Sequence, residues 1–434
     1  MKYPKKTIKC GIRGFKYTRW KAFSRVIAMN TPCLMKCIPV VVLILLVGCK
    51  TETKKEVPLL SYEEVHDEAI LVDTHNDILL HTMEKGLVFD GDLHGQTHTD
   101  LRRLREGGVD VNFFSIWCDG SEETPFDFAM AEMDSLALVL ERNPDKIVLA
   151  PDTRTLEKVV EDGKIAAIYG IEGGHMIEDD LEKLTRLYER GARYMTLTWN
   201  NSTAWASSAA DETSDGETAL MGLTDFGKQV VQRMNTLGMM VDVSHIGEQT
   251  FWDVIRTTSK PVIASHSSVH AICPHPRNLK DEQIKAIAKN GGVVQLNFYT
   301  AFLDPDFGQK TEDFMRRHQA EKDSLEQSGM HVYLVEEYLF QKYQEETDAM
   351  RPPLSLLMDH MDHIVQLVGP DYVGLGSDFD GITSAPQGLD DVTSFPLITQ
   401  AMLENGYAVE DIHKILGGNL LRVLKANEPD PRGD

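Results

Sequence analysis

Eight short apolar runs alternate along the chain with stretches of helical spacing, without any internal sequence repeat. The apolar runs are residues 69–72, 109–117, 166–171, 194–198, 239–243, 261–264, 293–298 and 372–376. Runs of this length bounded by Gly and polar residues predict buried strands, and the patterns between them predict helices. Eight strand–helix units over about 310 residues predict an α/β fold, a (β/α)8 TIM-type barrel.

In such a barrel the working residues stand at the C-terminal ends of the strands. His75 and Asp77 follow the first run, Glu172 the third, His245 the fifth, His266 the sixth and Asp378 the eighth. Residues two apart on an extended chain point the same way, so His75 and Asp77 aim at one point. Each residue alone reads equally as a hydrogen-bonded polar group at a strand end; their shared rim is what favours a site. Three imidazoles and two carboxylates exceed the needs of one tetrahedral zinc. They suffice for two metals if Glu172 bridges. Two ions ~3.5–4 Å apart hold a shared hydroxide at neutral pH, which suits hydrolysis of an amide or similar bond. Asp378 is then placed to take the water's proton and pass it to the leaving amine.

The net charge of −23 argues against nucleic acid as a partner. Residues 1–36 hold ten Lys or Arg and no Asp or Glu, and they lead into the apolar run 38–49. That run falls short of the ~20 residues of a membrane span. A basic lead and a short apolar core form a secretory signal, and Leu46-Val47-Gly48-Cys49 resembles a bacterial lipobox with Cys49 as the lipidated residue. The expectation is an exported bacterial lipoprotein held at a cell-envelope membrane. Its parts are the extension and signal 1–49, a polar tether 50–60, a barrel 61–427 and a tail 428–434. Of six cysteines, four (Cys10, Cys33, Cys37 and Cys49) lie at or before the proposed cut, and the two in the body, Cys118 and Cys273, are too few for a disulfide framework.

A charged insertion, about 301–353, separates strands seven and eight and is expected to form two helices, 312–326 and 332–350. It reads as a lid or dimer arm, or equally as surface decoration. His81, His94, His98, His175, His270 and His275 read as loop residues, with His175 the nearest to the site.

Taken in order, several motifs resemble the membrane (renal-type) dipeptidases, a branch of the amidohydrolase-like metal-dependent hydrolases. They are Asp73-Thr74-His75-Asn76-Asp77, Ile171-Glu172-Gly173-Gly174, Arg193 to Thr198, Asp242-Val243-Ser244-His245, Ser265-His266-Ser267-Ser268, Pro276-Arg277-Asn278, Asn297-Phe298-Tyr299 and Gly376 to Gly381. The resemblance covers about 70–424. It implies a zinc-dependent dipeptidase with two zinc ions: His75 and Asp77 on one, His245 and His266 on the other, Glu172 on both. It implies Arg277 on the substrate's carboxylate, Asp378 at the scissile bond, Tyr299 in the substrate site, and a homodimer. One departure stands out. Where the family often has a His after the fourth strand, this chain has Trp199, which offers one N–H donor and no acceptor. Rival readings are N-acyl amino acid or lactone hydrolysis at the same site, or an idle binding lipoprotein.

Overall fold

The computed structural model describes residues 60–214, 221–330 and 332–429. These fall in one unit, Leu59–Asp434, distinct from Met1–Pro58. The signal segment, Cys49, nearly all of the tether and residues 430–434 lie outside the described residues. No helix among the described residues is long and apolar enough to cross a membrane.

The strands are β1 Leu71–Asn76, β2 Val109–Ile116, β3 Ile147–Leu149, β4 Ile165–Glu172, β5 Ala192–Thr196, β6 Met240–Asp242, β7 Ile263–Ala264, β8 Val293–Leu296 and β9 Val373–Leu375. All pairings are parallel, in the order β1-β2-β4-β5-β6-β7-β8-β9. The ring nearly closes where β9 returns to β1. There Asn76 bridges Phe379, Asp77 N donates to Phe379 O at 2.9 Å, and Asp378 N donates to His75 O at 3.0 Å. The fold is the expected α/β barrel.

Four expectations need correction. β3 is a ninth strand, paired with β4 outside the ring; the sequence shows a short apolar run there, too brief to be counted among the eight. The first strand is not 69–72 but reaches Asn76, because pairing with β2 continues to Asn76–Phe114. His75 therefore lies in the strand rather than beyond it. Among the described residues, positions 307–348 of the insertion form four helices where two were expected: Phe307–Arg317, Gln319–Gln327, Val332–Lys342 and Gln344–Asp348. They fold back on a small core of their own, with Phe307, Phe314, Leu339 and Phe340 buried together. His81 is also no loop residue: it is buried in the helix Ile78–Lys85.

The barrel interior is filled by alternate residues of the strands, among them Val72, Val111, Phe113, Ile168, Tyr194, Met240 and Val293. Gly170 on β4 is required by this packing. A Cβ there would lie 2.0 Å from the Tyr194 ring. Without it, Tyr194 reaches across the barrel to the end of β1.

Candidate active site at the strand ends

His75 and Glu172 close β1 and β4, and His245 and His266 follow β6 and β7. Glu172 turns its two oxygens in different directions. Oε2 lies 3.4 Å from His75 Nε2. Oε1 lies 2.9 Å from His245 Nε2 and 3.6 Å from His266 Nε2. Asp77 Oδ2 is 3.4 Å from His75 Nε2. Asp77 precedes the helix Ile78–Lys85 without capping it, so its carboxylate is left for the site. Ligand atoms of His75, Glu172 and His266, and of His75, Asp77 and Asp378, each fall within 4.8 Å of one another.

The outer nitrogens of the three rings decide the tautomers. Tyr194 Oη donates to Thr74 O at 3.0 Å, so at 2.8 Å it accepts from His75 Nδ1–H. Ser265 Oγ donates to Asp242 Oδ2 at 2.6 Å, so at 2.8 Å it accepts from His266 Nδ1–H. Asn200 Oδ1 accepts from His245 Nδ1–H at 3.2 Å. Every Nε2 is then a bare lone pair facing carboxylate oxygens. His75 Nε2 and Asp77 Oδ2 are buried with no hydrogen-bond partner among the described residues. Lone pairs and carboxylates converging with no donor between them fit a cation. Burial would push the His75 imidazole down, yet Tyr194, Asp77 and Glu172 hold it well above its ordinary value. The cluster calls for positive charge.

Two aspartates fix the loops that carry these ligands. Asp73 Oδ1 accepts from Ser377 N at 2.8 Å and Oδ2 from Ser377 Oγ at 2.6 Å. Asp242 Oδ1 accepts from Ser244 N at 3.0 Å and from Ser265 N at 2.8 Å. Each strand thus pins the loop of a neighbour through a carboxylate–serine pair. His245 and Asp378 have φ of 62° and 63°, a left-handed backbone that non-glycine residues hold at a cost of about 1–3 kcal/mol.

Asp378 Oδ2 accepts from Asn297 Nδ2 at 2.8 Å. A Cβ on Gly381 would sit 2.4 Å from Asp77 Oδ2 and 2.7 Å from Asp378 Oδ1, so a glycine keeps both carboxylates in place. Burial lifts the Asp378 carboxyl well above the usual range; His75 opposes this, and Asp77 and Glu172 add to it. Arg277 is buried beside them. Among the described residues its guanidinium makes only long hydrogen bonds, 3.3 Å to His266 O and 3.5 Å to Ser267 Oγ, and its Nε has no partner. Burial brings it down to about 10. It is a buried cation short of an anion.

Trp199 is half-buried three residues past β5, its ring edge-on to Trp117 at 5.0 Å. Tyr299 packs on Phe302 and Phe307 at 5.1 and 6.3 Å. His175 stays outside the ligand cluster, donating to Cys118 O at 3.1 Å. His81 and His98 lie against the buried Asp380, each 3.7 Å from its Oδ1. Cys118 and Cys273 are free and buried. The supporting roles of Tyr194, Asp242, Ser265 and Asn200 were not anticipated. Their signal was position, one or a few residues from a ligand or on the next strand.

Residues 60–430 match the model of the membrane dipeptidase family, peptidase family M19. Among solved structures, the probable dipeptidase PvdM from Pseudomonas aeruginosa superposes with a TM-score of 0.69 at 25% identity, over 84% of this chain and 97% of that one. A metallo peptidase from Rhodobacter sphaeroides, liganded with a phosphinate mimic of the dipeptide L-Ala-D-Ala, gives 0.68 at 26% identity, over 83% and 100%. The metallo peptidase described as dipeptidase AC gives 0.67 at 27% identity, over 83% and 98%. A barrel whose strand ends gather such a cation-demanding cluster accords with that match, and the chain belongs to the membrane dipeptidase family, a family of metallo-dipeptidases.

Proposed function

We propose that the protein hydrolyses the peptide bond of dipeptides at a site holding two zinc ions. The observation that carries this is the split of Glu172, one oxygen toward His75 and the other toward His245 and His266. His75 and Asp77 would hold one ion, His245 and His266 the other, and Glu172 both. Bound there, the ions supply water activation and polarisation of the scissile carbonyl. The remaining work belongs to the chain. Arg277 offers a two-pronged donor to the substrate's free carboxylate. Asp378 Oδ1 accepts the attacking water's proton and delivers it to the leaving nitrogen as the C–N bond breaks. Its raised affinity for a proton suits both halves of that transfer. Trp199 lines the rim and shapes which side chains enter, and Tyr299 contacts the substrate.

Turnover of a dipeptide panel by purified protein, with and without chelator, is the test. Chelator-sensitive cleavage is expected. Cleavage only of N-acyl amino acids or lactones would transfer the site to another amidohydrolase activity, and no turnover at all would make it a binding site. We further propose that Cys49 carries a lipid that holds the enzyme at the envelope membrane. Fatty-acid labelling that persists in Cys49→Ala would exclude this.

A further inference from the structure

β2 and β7 stand on opposite sides of the barrel mouth, with β4, β5 and β6 between them on one side and β1, β9 and β8 on the other. Arg277 is fastened at the end of β7 through His266 O and Ser267 Oγ. Across from it, along β2, Phe113 fills the barrel interior and Ser115 Oγ lies 3.4 Å from Glu172 Oε2. Residues two apart share a side, so the next in that series, Trp117, faces the mouth. β2 pairs Ile116 with Ile171, which sets Trp117 level with Glu172. Trp199 closes the corner from β5, edge-on to the Trp117 ring. The indole N–H of Trp117 is buried with no hydrogen-bond partner among the described residues, so the half-buried ring meets the mouth through carbon.

Two backbone hydrogen bonds hold this ring in place. Trp117 N donates to Glu132 Oε2 at 2.8 Å, and the carbonyl of the next residue, Cys118, accepts from His175 Nε2 at 3.1 Å. Glu132 comes from the helix Pro125–Arg142 and is fully buried. Burial lifts its carboxyl well above the usual range, so it serves as an uncharged acceptor.

We propose that Trp117, with Trp199, walls the pocket for the side chain of the dipeptide's N-terminal residue and selects apolar side chains there, with Glu132 as a positioning residue. This rests on the reading that Arg277 takes the free carboxylate at a hydrolytic site. A dipeptide so held runs back over Glu172, and its N-terminal residue ends on the β2 side, against two indole rings. An apolar side chain gains by covering ring carbon. A charged or amide side chain gives up water for a carbon surface and binds more weakly.

The test compares kcat/KM of the zinc-loaded enzyme for leucyl-alanine against glycyl-alanine, and for alanyl-leucine against alanyl-glycine. Thermal melts check that each variant folds. Wild type should prefer the leucyl substrate by about tenfold or more, and Trp117→Ala should cut that preference about tenfold, mostly through KM. The preference at the C-terminal position should stay within about twofold. Trp117→Phe keeps an aromatic wall and should retain most of the N-terminal preference. Glu132→Ala should lower it, whereas Glu132→Gln, which keeps an acceptor for Trp117 N, should preserve it. No N-terminal preference in wild type, or one that survives Trp117→Ala, overturns the proposal. A change at the C-terminal position instead overturns it too, while leaving dipeptide hydrolysis intact. If no dipeptide is cleaved, the hydrolytic reading fails, and calorimetric affinities for leucyl and glycyl phosphinate mimics decide whether Trp117 walls the pocket.

Discussion

The Nε2 atoms of His245 and His266 lie 3.0 Å apart although both are lone-pair acceptors in the tautomers their neighbours impose. Two acceptors so close repel unless something positive sits between or beside them. The relationship yields a prediction about metal. Elemental analysis should find two zinc ions per chain, and His266→Ala should lose at least one. Because the ions bind only the folded state, zinc at ~1,000 times its dissociation constant should stabilise the protein by about 4 kcal/mol. A melting curve indifferent to zinc and chelator would remove the metal from the site.

Tyr194 serves the same end from behind the ligand. Its hydroxyl accepts from His75 and donates to Thr74. Tyr194→Phe keeps the ring that fills the space above Gly170 but removes the oxygen that fixes the His75 tautomer. Loss of such an outer partner lowers metal affinity by roughly 10- to 100-fold. Competition against a chelating dye measures it. Unchanged affinity would mean that packing alone orients His75.

The contrast between His75 and Tyr194 shows what the chain discloses before it folds. His75, Glu172, His245 and His266 were legible because each closes an apolar run, and a barrel sends all such ends to one rim. Arg277 and Tyr299 depended on family motifs, not on pattern. The roles of Tyr194 and Asp242 were hidden because both sit inside runs read as strands, where a residue counts as part of the core rather than as a partner of a ligand. Their partners, His75 and Ser265, are 119 and 23 residues away. The insertion's helices were legible as helices, but not their breaks. The stacking of His318 on Tyr343 at 3.8 Å joins segments that sequence periodicity treats as independent.

Asp378 separates metal binding from proton transfer. Asp378→Asn keeps the shape and an oxygen near Gly381 but cannot accept the proton. Metal content should stay near wild type while kcat falls roughly 10²- to 10⁴-fold. Loss of metal together with activity would make Asp378 a ligand instead. Full activity would leave proton transfer to another group.

Away from the site, His360 sets part of the dependence of stability on pH. It lies fully buried in the helix Leu354–Val368, where Nδ1 accepts from Val269 N at 3.0 Å and Nε2 donates to Leu303 O at 3.1 Å. The ring is used as a neutral donor and acceptor, and burial pushes it down from 6.5 to about 4. Above pH 6.5 it is neutral in both folded and unfolded chains and costs nothing. As pH falls from 6.5 toward 4, the unfolded chain binds a proton that the folded chain refuses, so stability declines through that window. At pH 5 the difference is on the order of 2 kcal/mol. Urea unfolding at pH 7 and pH 5 should show wild type losing about 2 kcal/mol more between them than His360→Gln, whose own deficit at pH 7 comes from the lost hydrogen bonds. Equal losses would assign the acid sensitivity to other imidazoles, with the half-buried His275, brought down to about 4 by burial, the first to examine.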